Sequence, residues 1–188
     1  MGQVAFDSLK LVMGDITKLH VDAVVTSANE AMCGGGGVDA AVHRAAGPAL
    51  LEECLRIGYC PPGEARITKA HLLPAKFVVH TVGPVWEGGG YGEAEVLASC
   101  YRSSLQLAAD HGAETVAFPC IATGAYGYPS AEACRVAVST ALEWVRKHER
   151  PRQILFCCLE EEDAEAYRAQ LQEAREVAEP DVAADREA

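Results

Sequence analysis

The sequence predicts an α/β domain in which helices cover both faces of a sheet. Two observations carry this. Short apolar runs closed by turn residues alternate with longer amphipathic patterns along the whole chain, which is the order of a layered sheet. The composition agrees: 49% of the residues are hydrophobic but only 6% aromatic, so alanine, valine and leucine build the core. The 188 residues suit one domain of ordinary size, without internal repeat. Residues 1–178 are read as that domain. Residues 179–188 form an acidic tail that lacks apolar periodicity and should fray.

The elements follow in order. Residues 4–13 read as one or two opening strands and residues 22–27 (DAVVTS) as a short buried strand. Residues 38–56 carry two helical segments broken at Gly47-Pro48. Residues 65–71 and 77–82 are further strands, the second stopped by Gly83-Pro84. The loop Glu87-Gly88-Gly89-Gly90 leads into an amphipathic helix over 93–109. Residues 115–119 (TVAFP) form a strand entering a loop over 121–129, after which Ser130 is expected to cap a helix reaching His148. A last strand over 153–159 and a last helix over 163–178 complete the pattern.

Charge and cysteines argue against several functions. A formal net charge of −11 argues against nucleic acid, whose binding draws much of its affinity from phosphate neutralisation. No apolar run approaches the roughly 20 residues needed to cross a bilayer, and the N-terminus lacks a signal-peptide pattern. The expected location is the cytoplasm. Eight cysteines include no C-x-x-C pair, and several lie in apolar stretches such as ILFCCL, where a reduced thiol is a small hydrophobe. No metal site is expected.

Two glycine-bearing loops carry the functional signal. Gly34-Gly35-Gly36-Gly37-Val38-Asp39 runs straight into a helical pattern. Four glycines are costly to order, but they let the backbone approach a ligand closely. The helix start adds unpaired N–H groups, so the loop could hold phosphate oxygens without a lysine. A flexible surface loop would read the same way. A dinucleotide fingerprint is discounted, since Asp39 stands where the third glycine would be. Thr123-Gly124-Ala125-Tyr126-Gly127 also lies between a strand and a helix, and two such loops suggest two walls of one diphosphate site. Tyr126 could lie against a ribose or base, or simply pack in the core. Asp15, after the opening strand, could accept from an exocyclic amine, although a turn cap is the readier role for an acid there. An acid at Asp39 is favoured by the helix dipole alone. His43, one turn on, is read as a packing residue or an Asp39 neighbour, and His80 as a satisfied core histidine.

Together these pieces are more specific than any one. GDITKLHVDAVV, SANEAMCGGGGVDAAVHRAAGP, GEARIT, LPAKFVVHTVGPVW and IATGAYGYP occur in the order found in macrodomains, and the chain resembles that family from Leu11 to Leu159. It is most similar to the MacroD-type branch, which includes bacterial O-acetyl-ADP-ribose deacetylases. The resemblance implies a three-layer α/β/α sandwich around a mixed sheet, with ADP-ribose bound in a crevice. It also implies hydrolysis of ADP-ribosyl esters, either O-acetyl-ADP-ribose or mono-ADP-ribosylated Asp and Glu side chains, so ADP-ribosylated proteins are expected partners. No metal or cofactor is implied.

By the same resemblance, Asp15 accepts the adenine amine beside the backbone of Ile16. Gly34, Gly35, Gly36, Gly37 and Val38 hold the phosphates with Thr123, Gly124, Ala125, Tyr126 and Gly127, Tyr126 lying near the distal ribose. Asn29 contacts that ribose and Asp39 is the catalytic acid. The chain departs from the family where Thr26 replaces an asparagine, Ala122 a serine and Ala125 a larger aliphatic residue. The first two changes favour an alternative, a reader that binds ADP-ribose without cleaving it. A scaffold or RNA-binding role fits neither the charge nor the intact loops.

Overall fold

The computed structural model describes residues 6–178. Its strands are β1 (Leu9–Met13), β2 (Ala23–Ser27), β3 (Ala65–Lys69), β4 (Phe77–Thr81), β5 (Thr115–Phe118) and β6 (Gln153–Cys158). They form one sheet in the order β1-β6-β5-β2-β4-β3. All neighbours are parallel except β3 and β4, so the sheet is mixed.

The helices are α1 (Gly37–Ala46), α2 (Pro48–Ile57), α3 (Glu93–Asp110), α4 (Ser130–Lys147) and α5 (Glu161–Ala178). The strands' period of two decides which face each helix covers. Ala23, Val25, Val79, Val116 and Phe118 point to one core, packed against Leu97, Tyr101 and Leu105 of α3, Ala137 and Val138 of α4, and Tyr167 of α5. Val24, Val78 and Ala117 point to the other, closed by Val42 of α1 and Leu50 and Cys54 of α2. Three layers result, as the motifs imply. No helix among the described residues is long and apolar enough to cross a membrane.

Two elements differ from expectation. Phe6 and Asp7 are helical, so the opening strand begins only at Leu9. Phe6 is still buried in the core, and an isolated apolar residue looks the same to pattern reasoning in either conformation. Ser130 does not cap α4. Pro129 occupies the cap position without a side-chain bond, and Ser130 Oγ instead donates to Asp163 Oδ1 at 2.8 Å, tying α4 to α5. Residues 4 and 5 of the expected first strand, and the tail over 179–188, lie outside the described residues.

Because β1, β2, β5 and β6 are parallel, their C-terminal ends meet along one edge of the sheet, where open α/β sheets place their ligands.

Candidate functional site

A cleft of about 850 Å³ opens along that edge. Gly14, Asp15 and Ile16 wall it after β1, and Ser27, Ala28 and Asn29 after β2. Gly35 to Val38 lead into α1, Pro119, Cys120 and Ala122 to Tyr126 follow β5, and Leu159, Glu160 and Asp163 follow β6. Arg44 is the only cationic side chain among the lining residues. An anion bound here must therefore rely mainly on backbone amides and the start of α1.

The first loop rests on buried polar groups. Asp39 is 1% exposed and lies beneath the loop rather than in the cleft wall. Gly35 N–H donates to its Oδ2 at 2.6 Å, and Thr26 Oγ1 to its Oδ1 at 2.9 Å. His43 Nε2 stands 3.8 Å from Oδ1. Asn29 does line the cleft: its Nδ2 donates to Gly34 O at 3.1 Å and its Oδ1 accepts from Cys33 N at 3.3 Å. Gly34, behind the wall, has φ +82°, a left-handed backbone that favours glycine, while a Cβ there would make only ordinary contact with the His43 ring.

Below Asp39 and His43 the polar contacts continue. His80, wholly buried, meets Thr68 Oγ1 at 2.9 Å and Cys54 Sγ at 3.6 Å. Burial pushes the His80 imidazole down to about 3 and the Cys54 thiol up to about 12, so both are neutral near pH 7. The ligand atoms of His43, Cys54 and His80 lie within 4.8 Å of one another, a grouping that sequence spacing does not reveal.

The second loop is braced by its own backbone. Gly127 N–H donates to Gly124 O at 2.9 Å, Tyr128 N–H to Ala122 O at 3.0 Å, and Trp86 N–H to Tyr126 O at 2.9 Å. Ala122 is left-handed at φ +65°. Its methyl leaves no room at Gly83, where a Cβ would come within 2.9 Å of it. Trp86 packs on buried Tyr128, ring centroids 4.5 Å apart. The glycine loop after Trp86 is gathered by buried Glu93, whose carboxylate accepts from the amides of Glu87, Gly89 and Tyr91. Its own amide, with these three, holds that carboxyl below the usual range.

Asp15 caps a turn and also faces the cleft. It lines the cleft, and its Oδ1 accepts from Thr17 Oγ1 at 2.7 Å and Thr17 N–H at 2.9 Å, capping a single 3-10 turn. Those bonds hold its carboxyl below the usual range, the hydroxyl contributing most. Thr123, Gly124, Ala125 and Tyr126 line the cleft, whereas Gly127, at φ +69°, closes the turn behind them. Residues that sequence reasoning left out include Ser27, Ala28 and Pro119, Ala41 and Arg44 one turn apart on α1, Cys120 and Cys157, and Leu159, Glu160 and Asp163. Ala41 and Arg44 were legible from helical spacing after Val38. The β6–α5 junction was not, because only the strand order brings it to this edge.

Comparisons with known proteins agree with this geometry. The model of the Macro domain family matches residues 25–137. The O-acetyl-ADP-ribose deacetylase of Escherichia coli K12 is 53% identical over 163 residues, covering 85% of this chain and 92% of that protein. A macro domain-containing protein of Methanosarcina mazei is 52% identical, covering 90% of each. The Oceanobacillus iheyensis macrodomain with ADP superposes with a TM-score of 0.83 at 38% identity, covering 90% of this chain and 92% of that one. The Trypanosoma brucei macrodomain in complex with ADP-ribose gives 0.83 at 40%, covering 88% and 70%. With a matching family model, relatives more than 50% identical along most of its length and solved macrodomains of similar fold, this chain belongs to the Macro domain family.

Proposed function

We propose that the protein binds ADP-ribose and hydrolyses ADP-ribosyl esters. The observation that carries this is the cleft itself: two amide-rich loops face each other, with a buried carboxylate directly under one of them. The diphosphate sits between the loops, the adenine amine meets Asp15, and the distal ribose lies against Asn29 and Tyr126. The names of the deacetylase relatives and the nucleotides held by the solved macrodomains support this assignment.

Ester hydrolysis needs an attacking water, an acceptor for its proton and stabilisation of the oxyanion that forms. Gly35 N–H is tied to Asp39 Oδ2. A phosphate oxygen competes for that N–H, and the carboxylate oxygen so released takes the water's proton. Loop amides stabilise the developing negative charge, and the ribose hydroxyl departs. The acyl group projects from the mouth of the cleft, so acetate and the side chains of mono-ADP-ribosylated proteins are both proposed acceptors. We place this activity in the cytoplasm, where thiols stay reduced.

The test is release of acetate from O-acetyl-ADP-ribose, and of ADP-ribose from a glutamate-linked protein, by wild type and Asp39→Ala. The variant should lose turnover by about 10²-fold or more, the usual contribution of a proton acceptor. It should bind ADP-ribose as well as wild type, because Gly35 N–H is freed. Equal turnover by both proteins overturns the role of Asp39. A second reading, a non-catalytic reader, is favoured by one observation: both Asp39 oxygens are already bonded and the group is buried. Binding without turnover on either substrate selects it.

A further inference from the structure

Two thiols meet where β5 and β6 reach the cleft, one in its wall and one beneath it. Cys120 Sγ and Cys158 Sγ are 3.7 Å apart, one on the segment leaving β5 and the other on the last residue of β6. The β5–β6 register pairs Phe118 with Phe156, and continuing it by two residues sets Cys120 opposite Cys158 on the same face. Cys120 lines the cleft and is half-buried, whereas Cys158 is wholly buried. Their shared hydrogen bond draws the Cys158 thiol below the usual range and, with burial, pushes Cys120 above it.

We propose that Cys120 and Cys158 are a dithiol site, oxidised by peroxide to a disulfide that weakens nucleotide binding in the cleft. One sulfur attacks a peroxide oxygen, giving a sulfenic acid and one water. The other sulfur attacks that acid, forming the S–S bond and releasing a second water, which carries away the remaining thiol proton. The peroxide accepts the two electrons that the sulfurs give up.

Closing the bond brings the sulfurs from 3.7 Å to about 2.05 Å. The backbones that must adjust hold both ends of the site. Cys158 O accepts from Gly14 N–H at 2.9 Å, immediately before Asp15 and Ile16. Cys120 O accepts from Thr123 Oγ1 at 3.1 Å, at the start of the second loop. Oxidation therefore moves the adenine wall and a phosphate wall together. A ligand lying over Cys120 opposes the same change, since coupling between two binding events is reciprocal.

The proposal rests on the assignment of ADP-ribose to this cleft, and its test separates the two. The full chain is treated with hydrogen peroxide, with and without saturating ADP-ribose, alkylated, and digested without reductant for mass mapping. Calorimetry measures ADP-ribose affinity before oxidation, after it, and after dithiothreitol. A Cys120–Cys158 linked peptide should appear, short of two hydrogens. Affinity should fall about tenfold, within the range of ordinary site coupling, and return on reduction. By reciprocity, ADP-ribose should raise the midpoint potential of the pair by about 30 mV, the equivalent of tenfold for a two-electron couple.

Cys158→Ser should yield no linked peptide, leaving Cys120 in single-sulfur oxidation states. Oxidation confined to Cys33, or a linked Cys120 peptide that persists in Cys158→Ser, overturns the site. A disulfide that forms without changing affinity overturns its coupling to the cleft. If the reduced chain does not bind ADP-ribose at all, the nucleotide assignment fails, and the peptide map still decides whether the dithiol exists.

Discussion

The two loops that face each other across the cleft are held by opposite means. The first is pinned from below by side chains: Asp39 takes Gly35 N–H, Asn29 takes Gly34 O and Cys33 N–H, and Thr26, Thr68 and His80 continue the polar contacts into the core. The second keeps its shape by bonds within its own backbone and leans on the apolar Trp86–Tyr128 pair. A loop pinned by side chains can exchange a bond with a ligand and expose a reactive group when it does. One closed on its own backbone presents its amides already in place and has little to release. If the proposed function holds, the first wall is expected to govern turnover and the second binding.

The buried polar support gives the largest expected effect. The unfolded chain protonates His80 below about pH 6.5, whereas the folded chain resists until about pH 3. Its folded value lies below its unfolded one, so stability is full above that window and falls as pH drops through it. The slope from this one group is about 1.4 kcal/mol per pH unit. Urea midpoints of wild type and His80→Gln between pH 7 and pH 4.5 should show a shallower decline in the variant. Parallel declines would mean that the support under the first loop does not depend on a neutral His80.

A smaller effect is expected at Thr26. Thr26→Val keeps the shape and removes the donor to buried Asp39 Oδ1, at a cost of about 2 kcal/mol for a hydrogen bond to a charged group. Turnover should fall by roughly tenfold or more with little change in ADP-ribose affinity. A loss of affinity with turnover intact would reverse the division of labour between the walls.

The smallest concerns the second wall. Gly89 sits at φ +83°, and a Cβ there would lie 2.8 Å from Trp86 Cη2. Gly89→Ala adds about 1 kcal/mol of backbone strain and displaces Trp86, whose N–H holds Tyr126 O. A few-fold weaker affinity for ADP-ribose is expected in calorimetry, with turnover at saturating substrate unchanged. If turnover falls instead, the two walls are not separable.

The alternating apolar pattern determined the layers, and Gly47-Pro48 and Gly83-Pro84 marked where elements stop, because these follow from local backbone preference and periodicity. Both loops were legible as glycine-bearing segments between a strand and a helix, although a flexible surface loop reads the same way and only the five motifs together pointed to a site. At Asp39 the residue type and helix position pointed to an acid near the site, but its burial and its bonds to Thr26 and Gly35 join residues 13 and 4 positions apart through the fold. Ser130 shows the limit most simply. A serine at a helix start satisfies a local capping rule, yet its hydroxyl bonds to Asp163, 33 residues away. What only the tertiary structure decided is which strand ends share an edge. The order β1-β6-β5-β2-β4-β3 brings Asp15, Asn29, Thr123 and Asp163 to one cleft and sets Cys120 beside Cys158. Strand neighbours are chosen by which buried faces fit together across the whole sheet, and no local stretch of sequence contains that choice.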